Sequence, residues 1–380
     1  MRKPRIVIAP DSFKGTLSAK DVCSVWKAAF DELFPDAELA LVPMSDGGDG
    51  ALDAVSASTN SERIEVAVAD PLGRPLRAGF ARFNGGRTAF VETAAACGIV
   101  FLKREERNPM AASSFGAGQL IAAALDSGIE DLAVSIGGSA TVDGGVGMLQ
   151  ALGYRFMDSN GVEIGRGGGE LMRLASIDAS DAHPQIGKVR IIVASDVTNP
   201  LLGPNGAATV FGPQKGATPE MVAKLEAGLA HFAEVCAQSG IATDCSHNGD
   251  GAAGGMGFAL RTFLDAETRP GAEYIAELVG LEQVIKNSDL VITGEGRTDR
   301  QTLFGKLPAF VADMAAKYSV PTILCSGAVE DSSELLSRFY AVFDTVPSVV
   351  SLESALENAR GNLADTAFAI VQLLKLRFGE

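Results

Sequence analysis

The sequence predicts an α/β protein whose framework is a parallel sheet. Three observations predict it. Short apolar runs such as Ile6-Val7-Ile8 and Leu290–Thr293 lead through turn residues into amphipathic helices. This strand–helix rhythm occupies both ends of the chain, while a stretch near residue 64 reads as strands alone. Several of the turns that follow strands are rich in glycine and carry Asp, Ser or Thr, at the place where open α/β sheets hold their ligands.

The first strand ends at Ala9-Pro10, and a helix follows from about Ala19 to Phe34. Val22, Trp26, Ala29, Phe30 and Leu33 recur there at three- and four-residue spacing. Ser18 with Asp21 reads as a capping box, and Pro35 stops the helix. A strand at Leu39–Val42 leads to the Asp46 loop and to a helix containing Leu52 and Val55. Ile64–Val68, Leu76–Phe83 and Thr88–Val91, separated by Asp70-Pro71-Leu72-Gly73 and Asn84-Gly85-Gly86, predict an antiparallel meander. Leu132–Ile136 and Val189–Ala194 are the clearest strands of the middle region, and Thr218–Ser239 its clearest helix. The last ninety or so residues return to strict alternation. Their strands are Leu290–Thr293, Thr322–Cys325 and Ala341–Phe343, with helices from near Lys306, from near Ser332 and from about Leu352 to Arg377.

Neither terminal tract makes a doubly wound sheet alone. Joined, they give about five parallel strands. The expected architecture is therefore a discontinuous Rossmann-like parallel-sheet domain, residues 1–75 plus 285–380, with a second α/β domain, 76–284, inserted into it. The expected site lies in the cleft between the two. A length of 380 residues agrees with two domains.

Composition narrows the function. The formal net charge of −15 argues against nucleic acid or an anionic membrane as partner. An anionic ligand then needs local cations, and Lys14, Lys215, Arg297 and Lys306 all lie in or beside glycine-rich motifs. The cysteines, Cys23, Cys97, Cys236, Cys245 and Cys325, are odd in number and contain no CxxC pair, which suits reduced thiols in the cytoplasm. No secretory signal is expected, because Met1-Arg2-Lys3 leads to a run too short for one, and no segment reaches the ~18 apolar residues of a membrane span. The three histidines lie far apart and are assigned neither to catalysis nor to metal.

Five segments share one character. They are Asp11-Ser12-Phe13-Lys14-Gly15, Asp46-Gly47-Gly48-Asp49-Gly50, Gly137-Gly138-Ser139-Ala140-Thr141, Ser195-Asp196-Val197-Thr198-Asn199 and Gly294-Glu295-Gly296-Arg297-Thr298-Asp299. Glycine lets backbone approach a ligand closely, and N–H groups in such turns cradle anions. Five together predict one polyanion and metal site. The Walker pattern is absent, and the segment at 294–299 lacks the third glycine of a dinucleotide fingerprint.

With Val210-Phe211-Gly212-Pro213-Gln214-Lys215-Gly216, Gly249–Gly257 and Gln301-Thr302-Leu303-Phe304-Gly305-Lys306, these segments resemble the bacterial glycerate kinase family, the glycerate 2-kinases, from about Ile6 to Lys306. The resemblance implies the same inserted-domain arrangement, ATP and Mg²⁺ as cofactors, and D-glycerate as the small-molecule substrate, phosphorylated to 2-phosphoglycerate. A kinase of a related hydroxy acid, a 3-phosphoglycerate product and a non-catalytic two-domain binding protein stand as alternatives. Assembly into a homo-oligomer is left open.

Phosphoryl transfer needs positioning, cations and a divalent ion more than covalent chemistry. Asp196 and Lys14 are the expected catalytic residues, Asp46 and Asp299 the expected metal contacts. All three acids are types suited to proton acceptance or magnesium, and equally to turns and helix caps. Asp11, Ser12, Ser139, Thr141 and Arg297 are expected to bind substrate or phosphate, and Gly137, Gly138, Gly294, Glu295 and Gly296 the cofactor. Lys14 and Arg297 suit either the moving phosphoryl group or the glycerate carboxylate, and the sequence does not divide those tasks.

Overall fold

A computed structural model describes residues 3–241, 244–300, 302, 306–330 and 332–378. Met1 and Arg2 of the N-terminal basic run, and most of the Gln301–Lys306 motif, lie outside the described residues.

The chain forms two compact units. One comprises Met1–Asp46, Asp53–Asn60 and Ala272–Glu380, the other Gly47–Leu52 and Ser61–Gly271. The first holds a five-stranded, wholly parallel sheet in the order Ala341–Asp344, Thr322–Ser326, Leu290–Thr293, Arg5–Ile8, Glu38–Leu41. The N-terminal strand thus pairs directly with a strand that follows it by nearly three hundred residues. Its neighbour Leu290–Thr293 is buried throughout, as a central parallel strand should be.

Helix Ala19–Leu33 covers this sheet with Val22, Cys23, Val25, Trp26, Ala29 and Phe30, which pack with Leu363, Ala367, Ile370 and Val371 of helix Ala359–Phe378. The capping box forms: Ser18 Oγ accepts from Asp21 N at 3.1 Å and Asp21 Oδ2 accepts from Ser18 N at 3.2 Å. The expected single helix from Leu352 to Arg377 is two helices, Leu352–Glu357 and Ala359–Phe378. Asn358 lies between them, its side-chain amide donating to Ser354 O at 2.9 Å beside its own backbone N–H. The helix expected near Ser332 is one turn, Ser332–Leu335.

The second unit is built on a six-stranded sheet ordered Glu267–Arg269, Arg190–Ala194, Asp131–Ser135, Thr88–Glu92, Pro75–Phe83, Glu62–Ala69. The first four run parallel and the last two antiparallel, which is the predicted meander joined to an α/β sheet. The boundary expected at 75/76 would fall inside strand Pro75–Phe83, just after its first residue, while that strand pairs with Glu62–Ala69 from Glu62↔Arg82 to Ala69↔Pro75. The one expected at 284/285 would cut helix Leu281–Lys286. Helix Pro219–Gln238 starts at Thr218, whose hydroxyl accepts from Met221 N at 3.3 Å. Among the described residues no helix is long and apolar enough to cross a membrane.

Candidate functional site

In the first unit, sheet pairing brings the first glycine-rich segment to the last. Strand Arg5–Ile8 lies beside Leu290–Thr293, so the loops at their carboxyl ends emerge together. Asp11 N donates to Gly294 O at 2.8 Å. A Cβ on Gly296 would lie 3.1 Å from Lys14 N and Phe13 Cα, so any larger residue there would push the 294–296 backbone away from the Asp11–Lys14 loop by a few tenths of an ångström.

Asp11 is 6% exposed. Burial, and then the charge of Asp46, push its carboxyl from 3.8 up to about 7, while Ser12 N, donating to Oδ1, opposes the shift. Lys14 Nζ stands 3.5 Å from Asp46 Oδ2, with its side chain 76% exposed. Asp46, more than any other group, holds that ammonium above its usual range. Glu295 is buried beside them. Its Oε1 accepts from Thr302 Oγ1 at 2.7 Å and Thr298 Oγ1 at 3.2 Å, and Lys306 Nζ lies 4.0 Å from Oε2. Burial raises the Glu295 carboxyl, and Thr302 and Lys306 pull it back. Asp299 lies 3.5 Å from Lys306 Nζ, and Arg297 makes an exposed ion pair with Glu330.

The structure thus gathers Asp11, Ser12, Lys14, Asp46, Gly294, Glu295 and Gly296 into one cluster. It places Asp299 beside Lys306 and pairs Arg297 with Glu330. Among the described residues no three His, Cys, Asp or Glu side chains come together as a metal cage. Magnesium does not require one, since one or two carboxylates, water and substrate phosphates complete its shell. Burial first, and the neighbouring Asp46 charge second, keep the Asp11 carboxyl raised.

In the second unit, three of the segments converge. A Cβ on Gly47 would stand 2.8 Å from Ala194 O, and one on Gly137 2.6 Å from Gly48 Cα. Gly138 has φ +71°, and a Cβ there would fall 1.6 Å from Asp49 Oδ1. The backbone angle favours glycine at 138, and a side chain there would displace the Asp49 carboxylate. The 137–141 segment is fastened to its neighbour by Ile99 N donating to Gly138 O at 2.9 Å and Ala140 N to Cys97 O at 2.8 Å. Asp196, exposed beyond strand Arg190–Ala194, accepts from Gly271 N at 2.8 Å. Thr141 is wholly buried. Its carbonyl accepts from Lys215, and among the described residues its hydroxyl has no partner.

Three residues without an assigned role matter here. Lys215 is 3% exposed, and its ammonium donates to Ser139 Oγ at 2.9 Å and Thr141 O at 2.7 Å. Burial pulls it from 10.5 to about 8, and the neighbouring Cys97 and Asp143 oppose that shift. Asp143, also buried, accepts from Ser114 N and Oγ at 2.8 Å each and from Gly145 N and Gly147 N. Glu92, at the end of strand Thr88–Glu92, accepts from Gly50 N at 3.0 Å and Leu52 N at 2.8 Å, holding the start of helix Ala51–Ser58. An acid closing an apolar strand was the signal that singled out Asp196, and Glu92 carries it too. A lysine's burial leaves no such local trace.

Comparison with known proteins identifies the family. The sequence model of the glycerate kinase family matches residues 6–375. The chain is 45% identical to a glycerate kinase of Bacillus subtilis (strain 168) and 43% identical to a glycerate 2-kinase of Escherichia coli (strain K12), each over 98% of both chains. The crystal structure of a protein assigned as glycerate kinase 2 from Salmonella typhimurium LT2 superposes with a TM-score of 0.85 at 43% identity, covering 98% of this chain and 99% of that one. The chain belongs to the glycerate kinase family.

Proposed function

We propose that this chain transfers the γ-phosphoryl group of ATP to the 2-hydroxyl of D-glycerate, giving 2-phosphoglycerate and ADP. The observation that carries the reading is similarity along the whole chain to the E. coli glycerate 2-kinase. The clustered charges of the first unit and the converging glycine segments of the second support it.

Residue roles follow from chemistry. Gly137, Gly138 and Ser139 hold nucleotide phosphate oxygens through N–H and O–H donors. Gly294, Glu295 and Gly296 bring the last loop against the Asp11–Lys14 loop. Lys14 meets the moving phosphoryl charge as a compact cation, tethered through Asp46. Ser12 and Arg297 serve the glycerate carboxylate. Asp196 takes the proton leaving the substrate hydroxyl, its carboxylate oriented by Gly271 N. Asp46 and Asp299 hold Mg²⁺, which supplies charge neutralisation on the phosphates when bound. Free cysteines, four of the five buried, suit a cytoplasmic setting.

A coupled ADP-release assay tests the reading. ADP release is expected to require both D-glycerate and Mg²⁺ and to stop in excess EDTA, and product NMR is expected to place the phosphate on C2. Release indifferent to D-glycerate refutes the substrate, and a C3 product refutes the regiochemistry.

A further inference from the structure

The contact between Lys215 and Ser139 has a direction. An ammonium carries three protons and no acceptor, so at 2.9 Å Ser139 Oγ must accept. A hydroxyl owns one proton, and this contact leaves that proton to be donated elsewhere. Ser139 is buried, and among the described residues no acceptor receives it. The neighbouring Thr141 Oγ1 is also buried and unpartnered. Two buried hydroxyls short of partners, on a segment with glycine backbone on one side and a buried cation behind it, are unfavourable unless an external acceptor completes them.

We propose that Lys215 is a positioning residue for nucleotide binding: by occupying the Ser139 lone pair it commits the Ser139 proton to a phosphate oxygen. The inference rests on the reading of the 137–139 segment as the phosphate loop. Lys215 itself touches no phosphate in this scheme. It acts through Ser139 and through the Thr141 carbonyl, which fixes the far end of the segment.

The arrangement is pH-dependent. The titratable groups that act on Lys215 are Asp143 and Cys97. The Cys97 thiol is pushed up to about 12 and stays neutral over the relevant range. Burial raises the Asp143 carboxyl, and its Ser114, Gly145 and Gly147 donors oppose that shift. Lys215, drawn down to about 8, loses its proton as pH rises through that value. A neutral amine accepts a hydrogen bond. Ser139 can then donate inward to it, and the phosphate loses its donor.

The test is calorimetric binding of ATP with Mg²⁺ at pH 7.0 and 9.5 to four proteins: wild type, Ser139→Ala, Lys215→Met and the double variant. Thermal unfolding verifies that each is folded. Wild type is expected to bind roughly tenfold more weakly at the higher pH, the scale of one charge-assisted hydrogen bond. Ser139→Ala, which leaves Lys215 on Thr141, is expected to show that loss already at pH 7.0 and no further fall. The double variant should bind no more weakly than Lys215→Met. Wild-type pH dependence retained in Ser139→Ala, additive losses in the double variant, or absent ATP binding overturns the inference. Normal pH-dependent ATP binding without glycerate-dependent turnover sinks the proposed reaction instead and leaves the inference standing.

Discussion

Asp196 sets its Oδ1 2.8 Å from the backbone N–H of Gly271, the first residue of helix Gly271–Leu278. A carboxylate at the end of a strand is thus also the anchor of a helix start, and the two roles call for opposite mutational signatures.

Asp196→Asn keeps an oxygen that accepts from Gly271 and removes the charge. The melting temperature is expected to stay near wild type while kcat falls about 10²–10⁴-fold, as for a lost general base. Asp196→Ala should fall equally in rate and lose about 1 kcal/mol of stability with the cap. Unfolding curves and kinetics over a range of Mg²⁺ separate the outcomes. Recovery at high Mg²⁺ makes Asp196 a metal contact, and unchanged kcat in the Asn variant removes it from the chemistry.

Lys14 is largely exposed and meets Asp46 at 3.5 Å, so it holds up little of the core. Lys14→Met is expected to lower kcat/KM roughly 10²-fold or more with an unaltered unfolding transition. Kinetics close to wild type at both saturating and subsaturating ATP would return it to an ordinary surface charge.

Gly138→Ala meets two obstacles: φ of +71° and Asp49 Oδ1 1.6 Å from the new methyl. Left-handed backbone alone costs about 1–3 kcal/mol. Adding Asp49→Ala removes the collision and leaves the angle. The double variant should therefore be more stable than Gly138→Ala and less stable than Asp49→Ala, by denaturant midpoint. Equal stability of Gly138→Ala and wild type contradicts both obstacles.

Asp11 gives stability a pH dependence of unusual sign for an acid. Its carboxyl titrates at about 7 in the folded chain against 3.8 ordinarily, through burial and then Asp46. The folded state therefore keeps a proton that the unfolded chain has lost, and stability falls as pH rises from about 4 to about 7. In EDTA, Asp11→Asn is expected to flatten that fall. A denaturation midpoint with the same pH slope in both proteins counts against the shared Asp11–Asp46 charge.

The sequence by itself determined the elements. Apolar runs bounded by glycine and proline encode burial along one strand, and three- and four-residue spacing encodes one helix face, so both are readable locally. Ser18 and Asp21 announced their cap, and the two terminal tracts, each too short for a sheet, announced that they share one. The acid- and glycine-bearing turns were legible for the same reason: each is a local chemical pattern.

Tertiary structure decided which of those turns meet. Strand order sets that, and order depends on crossovers that no local pattern carries. Strand pairing brought Asp11 to Gly294, and close loop approach brought Gly48 to Gly137 and Asp49 to Gly138. The chain changes from one helix to another at Asn358, a break that periodicity alone did not mark. Lys215 is the sharpest case. A lysine reads as surface until the fold encloses it, and only enclosure makes its ammonium dictate where the Ser139 proton goes.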